Sequence, residues 1–143
     1  FFCYMIKKEV TMRASIFLLI ILSFLLGCSE DYSNLTQISV DFKWPEANTY
    51  ETSSEIRLQN VPHNTKSFKI KMYDLDNRYN HGGGTCANNG SNLIAEGTLK
   101  NYEGPYPPGN MRPRYEISVK ALDENGDIIA FGKKIRRFPP EPK

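Results

Sequence analysis

In five separate stretches of this chain every second residue is apolar, and that period fits half-buried strands rather than helices. Ile38, Val40, Phe42 and Trp44 share one face of the first stretch. Ile56 and Leu58 mark a shorter second one. Phe68, Ile70 and Met72 alternate with Lys69 and Lys71, and Tyr115, Ile117, Val119 and Ala121 alternate with Glu116, Ser118 and Lys120. A last strand is expected over residues 128–135. Asn125-Gly126 stands between the last two, a hairpin signal because both residues tolerate a positive φ. No segment sustains a helical period. Short strands separated by turn signals predict an all-β chain folded as an antiparallel sandwich.

A different pattern precedes the strands. Met12 is the expected start, with residues 1–11 read as upstream translation. Arg13 supplies a positive charge, residues 16–26 are apolar apart from Ser23, and Leu25-Leu26-Gly27-Cys28 follows. Spanning a bilayer takes about 20 apolar residues, whereas a secretory core needs only about 7–15. Residues 12–27 therefore read as a signal peptide, and the tetrapeptide resembles the lipobox of bacterial lipoproteins. That resemblance implies cleavage before Cys28 and a diacylglyceryl group on its thiol. Each buried CH₂ of an anchor contributes about 0.8 kcal/mol, so two or three acyl chains hold a protein to the membrane. Ser29 in place of aspartate implies the outer membrane, facing the periplasm. Residues 28–35 are expected as a polar tether, and residues 36–143 as one sandwich domain.

Charge and cysteine content narrow the partners. Of 18 basic and 16 acidic residues, Lys7, Lys8, Arg13 and Glu9 lie before Cys28, so the remainder balances to zero formal charge. No basic stripe for nucleic acid is present. Lys133, Lys134, Arg136 and Arg137 read as the solvated edge of a strand. Cys3 precedes the expected start and lipid consumes Cys28, so Cys86 has no partner for an intramolecular disulfide.

Two stretches interrupt the alternation. One runs from Asp74 through Asp76 and His81 to Gly82-Gly83-Gly84 and Asn88-Asn89-Gly90. The other is Gly104-Pro105-Tyr106-Pro107-Pro108-Gly109, ending at Arg114-Tyr115. The first is expected to be a flexible acidic loop whose glycines bring backbone N–H groups close to a ligand. The second is expected to be a rigid aromatic loop. Together they are candidate walls of one pocket.

At these residues the chain resembles the phosphatidylethanolamine-binding protein family, which includes the Raf kinase inhibitor proteins. The likeness is carried by Val61-Pro62-His63-Asn64-Thr65-Lys66-Ser67-Phe68, Tyr73-Asp74-Leu75-Asp76, Tyr102-Glu103-Gly104-Pro105-Tyr106-Pro107-Pro108-Gly109 and Arg114-Tyr115. It implies a Greek-key β-sandwich with a small pocket for phosphate-like head groups. By position Asp74, Tyr106 and Tyr115 line that pocket, with His81, Gly82 and Gly83 beside them. Tyr106 replaces the family's signature cysteine, Leu75 the proline between its aspartates, and Pro113 its strand histidine.

No metal or cofactor is expected. A calcium loop starting at Asp74 would need an oxygen ligand and a glycine where Arg78 and Tyr79 stand. No paired cysteine or histidine spacing suits zinc. No motif places a serine or cysteine nucleophile beside a base, so enzymatic chemistry is not expected. Two function classes remain. The lipid-anchored domain binds a small anion or phospholipid head group, or it works through its surface as an inhibitor or scaffold of an envelope protein. Asp74, the glycines and Tyr115 favour the first, and Pro113 favours the second.

Overall fold

The computed structural model describes residues 30–46 and 48–141. Cys28, the signal segment 12–27 and residues 1–11 lie outside the described residues. Among the described residues the chain is all-β, with nine strands and no helix. No helix among them is long and apolar enough to cross a membrane.

The strands are β1 (Thr36–Gln37), β2 (Ser39–Lys43), β3 (Glu55–Gln59), β4 (Ser67–Asp74), β5 (Tyr79–Ala87), β6 (Leu93–Ile94), β7 (Asn101–Tyr102), β8 (Arg114–Leu122) and β9 (Ile128–Arg137). They form two sheets. One has six strands in the order β1-β9-β8-β4-β5-β7, and the other has three in the order β2-β3-β6. All pairings are antiparallel except that of β1 with β9, which makes the larger sheet mixed.

The alternation read from the sequence fixes which face goes inward. Phe68, Ile70 and Met72 of β4 and Tyr115, Ile117, Val119 and Ala121 of β8 are buried, while Lys69 and Lys71 stand in water. Val40 and Phe42 of β2 with Ile56 and Leu58 of β3 supply the inner face of the small sheet. Both sets belong to a single hydrophobic core. Each fully buried side chain of this size contributes about 1.5–3 kcal/mol relative to exposure, and that sum has to stand in for disulfides. Trp44 closes one end of the core. Its ring meets Phe42, Tyr115 and Phe138 edge-on, with centroids 5.0, 5.7 and 5.3 Å away, and its indole N–H donates to the Arg137 carbonyl at 3.0 Å.

Two expectations change. The acidic glycine loop is not a loop: after a turn at residues 75–78 the chain runs back as β5, paired to β4 from Ser67↔Ala87 to Asp74↔Tyr79 with a shift of register between Lys71 and Tyr73. Residues 32–35, expected within the tether, pack on the domain. The Tyr32 ring stacks on Phe131 at 4.6 Å, and Gln37 donates to the Tyr32 and Leu35 carbonyls at 3.0 and 2.9 Å. The expected hairpin at Asn125-Gly126 is present. Gly126 takes φ 84°, and the Asp123 carboxylate caps the turn by accepting the N–H groups of Asn125 and Asp127.

Candidate functional site

Asp74 continues the core-facing register of Phe68, Ile70 and Met72, so β4 carries a carboxylate into a buried position. A buried carboxylate needs partners, and this one finds them in its own turn. Oδ1 accepts the backbone N–H groups of Asp76 and Asn77, each at 2.9 Å, and Oδ2 accepts the Asn77 side-chain amide at 2.8 Å. Asp76 turns outward and grips β8 instead. Its Oδ2 accepts the Arg114 backbone N–H at 2.8 Å, and its Oδ1 meets the Arg114 Nε and Nη2 at 2.9 and 2.5 Å. The Leu75 N–H donates to the Arg114 carbonyl at 2.9 Å. The segments Asp74-Leu75-Asp76 and Arg114-Tyr115 thus form one structural clamp between a turn and a strand start. Hydrogen bonds from the Arg114 guanidinium and backbone hold the Asp76 carboxyl below its ordinary 3.8. Tyr115 pairs in register with Asp74, and burial together with that carboxylate pushes its phenol up to about 12.

Gly82 and Gly83 serve close approach between strands. Gly82 pairs with Tyr102, and Gly83 pairs with Asn101 on one side and Lys71 on the other. Their φ values are +81° and +151°, and a Cβ at either would collide with the carbonyl oxygen of Asn101 or Ile70. The Gly82 N–H donates to the Asn80 side chain at 3.2 Å. His81 beside them is buried. Its Nδ1 lies 2.8 Å from the Glu103 carbonyl, which can only accept, so Nδ1 carries the proton. Its ring sits edge-on to Tyr79 and Tyr115, at 4.8 and 5.3 Å.

Of the six expected site residues, then, Asp74, His81, Gly82, Gly83 and Tyr115 occupy adjoining positions on β4, β5 and β8, and their interactions are internal to the fold. Tyr106 does not join them. It is 83% exposed, and its ring meets Tyr50 at 6.0 Å and 72°. The backbone explains the meeting. The Gly104 N–H donates to the Tyr50 carbonyl at 2.7 Å, and a Cβ on Gly104 would overlap the Thr49 carbonyl, so only glycine lets the proline-rich loop lie against residues 49–50.

Tyr50 opens a second constellation that the alternation pattern did not disclose. Its hydroxyl donates to one oxygen of Glu103 and the Tyr79 hydroxyl to the other, each at 2.8 Å. These two hydrogen bonds lower the Glu103 pKa and raise those of both phenols. Tyr50 and Tyr79 are about half exposed. Beside them Tyr50, Tyr106, Phe138, Pro107, Asn48 and Thr49 border a cleft of about 420 Å³. Tyr50 and Tyr79 are aromatic residues in polar stretches, the one signal in the sequence that singles them out. Glu103 carries none.

Among the described residues no cluster of three histidine, cysteine or acidic side chains is arranged to hold a metal. Cys86 is a free, half-buried thiol whose pKa burial raises, which keeps it protonated and unreactive at neutral pH. A wider groove of about 720 Å³ beside Trp44 is bordered by Lys43, Arg112, Arg136 and Arg137. Arg136 pairs there with Asp41 at 2.6 Å, and Arg112 with Glu141 at 3.7 Å. No protein-family model, no curated protein and no solved structure matches this chain.

Proposed function

We propose that this is a non-enzymatic binding module, carried at the bacterial cell envelope by lipid on Cys28, that works through an exposed aromatic surface rather than through an anion pocket. One observation carries the reading. The Asp74 carboxylate and the His81 Nδ1 are taken up by the fold and Tyr115 is buried, while Tyr50 and Tyr79 on Glu103, and Tyr106 against Tyr50, offer their rings to solvent. An anion would have to approach two carboxylates, Asp74 and Glu103, where the glycine backbone is closed into strands.

We read the two sheets as the faces of a Greek-key sandwich. The small sheet has strand order β2-β3-β6 and the large one β9-β8-β4-β5, which corresponds to the A-B-E and G-F-C-C′ order of immunoglobulin-type domains. Tyr115 near the start of β8 then occupies the place of the tyrosine near the start of strand F in that plan. On this reading the likeness to phosphatidylethanolamine-binding proteins reflects shared turn and strand chemistry: its aspartate and arginine segments build the clamp, and its proline segment displays Tyr106.

The small-anion reading keeps two footholds, the basic groove beside Trp44 and a cleft of about 290 Å³ bordered by His81, Gly82 and Lys100. Phosphate and phosphoethanolamine titrations followed by amide shifts separate the alternatives. The surface reading expects silence at residues 81–85 and 104–115 up to tens of millimolar. Saturable shifts there would restore the pocket, and shifts confined to Lys43, Arg136 and Arg137 would move the anion to the groove. For the anchor, Cys28→Ala should abolish incorporation of labelled palmitate and shift the protein from the lipidated membrane fraction to the soluble or uncleaved pool.

A further inference from the structure

We propose that the cleft between Tyr50 and Tyr106 is a binding site for an ammonium group. The site rests on the surface-binding reading above and names its ligand chemistry. The aromatic border of the cleft carries the argument. Tyr50, on that border, donates its hydroxyl proton to Glu103, which lies outside the border, so the Tyr50 oxygen can only accept. A ligand that brings donors or a positive charge suits it.

The rings point the same way. A cation is attracted to an aromatic face within about 6 Å of its centroid, and two faces at a steep angle enclose it better than one. Tyr50 and Tyr106 stand 6.0 Å apart at 72°, and Phe138 adds a third ring to the cleft border. The carboxylate hydrogen-bonded to the Tyr50 phenol enriches that ring in electron density. Glu103 and then Glu51 place negative potential at the Tyr50 hydroxyl. No lysine or arginine borders the cleft to oppose a cation. Its volume of about 420 Å³ falls in the range of small-ligand sites. Asn48 and Thr49 supply polar contacts for whatever substituent the ammonium carries.

The test titrates the full chain, in a neutral maltoside detergent, with choline chloride and separately with 3,3-dimethylbutan-1-ol, its uncharged isostere. Ring resonances of labelled tyrosines are followed. Choline should give saturable shifts at Tyr50 and Tyr106, with the alcohol weaker by about tenfold. Tyr106→Ala should weaken choline by about tenfold through loss of one ring face. Glu103→Gln, which keeps an acceptor but removes the charge, should weaken it by about threefold. Equal response to the alcohol, or affinity unchanged in both variants, would overturn the assignment. So would equivalent shifts with glucose, which would give the cleft to sugars.

Silence toward both choline and phosphate removes the ammonium site and leaves the surface reading standing, whereas phosphate shifts at residues 81–85 remove that reading itself. Once choline binds, co-sedimentation of the Cys28→Ala chain with phosphatidylcholine vesicles but not phosphatidylglycerol vesicles assigns a lipid head group. Its absence from both assigns a soluble base. Either result supports the ammonium site.

Discussion

The clamp at Asp74, Asp76 and Arg114 and the surface where Tyr50 joins Glu103 and meets Tyr106 are built from similar materials, a carboxylate and a tyrosine with glycines close by. They differ in where the polar atoms point. At the clamp, Asp74 faces the core and satisfies itself with two N–H groups and an amide of its own turn, and Tyr115 beside it is buried. At that surface, Glu103 is held by two hydroxyls whose rings remain in water. The same residue types therefore make a fastening in one place and an exposed aromatic surface in the other. Proximity of an acid and a tyrosine does not separate the two cases, but the direction of each donor does.

Substitutions at the two regions should separate in what they disturb. The largest effect is expected from Gly83→Ala. Its Cβ would enter the Ile70 carbonyl at a φ of +151°, and the added overlap and strain should cost about 3–5 kcal/mol in urea unfolding. A stable variant would break the contrast, since the glycine would then not be needed to seat β5. Asp74→Ala comes next. It leaves two backbone N–H groups and an amide without their charged acceptor, a loss of about 2–3 kcal/mol. If stability held while ligand binding fell, the clamp would belong with the aromatic surface instead.

Asp76→Asn should act through pH. The folded carboxyl sits below 3.8, so its contribution is present above that value and is lost as pH falls through the lower folded one. The parent should therefore lose stability on acidification in that window, and the asparagine variant should show a flatter profile in thermal melts. A profile unchanged by the substitution would mean that Arg114 does not hold Asp76 in solution. Smallest of all is Tyr106→Ala, where a side chain 83% exposed should change unfolding stability by no more than about 0.5 kcal/mol. A larger loss would make Tyr106 a packing residue and blur the distinction from the other side.

The strands that carry side-chain alternation, β2, β3, β4, β8 and β9, were legible in the sequence, because burial on one face leaves a period of two. Strand β5 was not. Gly82, Gly83 and Gly84 have no side chains to alternate, and a glycine run reads as a turn until a neighbouring backbone is known to lie within reach of it. Two-residue strands such as β1, β6 and β7 are too short to show any period. At the site, the rigid aromatic loop around Tyr106 was legible from its prolines but its exposure was not, and the closeness of Asp74 to Tyr115 is seen in the register of β4 with β8. The meeting of Tyr50 with Tyr106 is a different matter. It depends on Gly104 lying against the Thr49 carbonyl, a contact between segments more than fifty residues apart.

Beyond Phe131, the outer edge of β9 has no strand partner among the described residues. An open edge is a template on which a second copy can add a strand. Here the template is defaced: Lys133, Lys134, Arg136 and Arg137 occupy four of the last five positions. Any approaching copy brings the same cations to the same register. Copies should therefore repel one another at this edge, and the protection should fade in concentrated salt as the screening length shrinks toward the spacing of neighbouring side chains. Repulsion there leaves the exposed rings of Tyr50, Tyr79 and Tyr106 uncovered by a second copy.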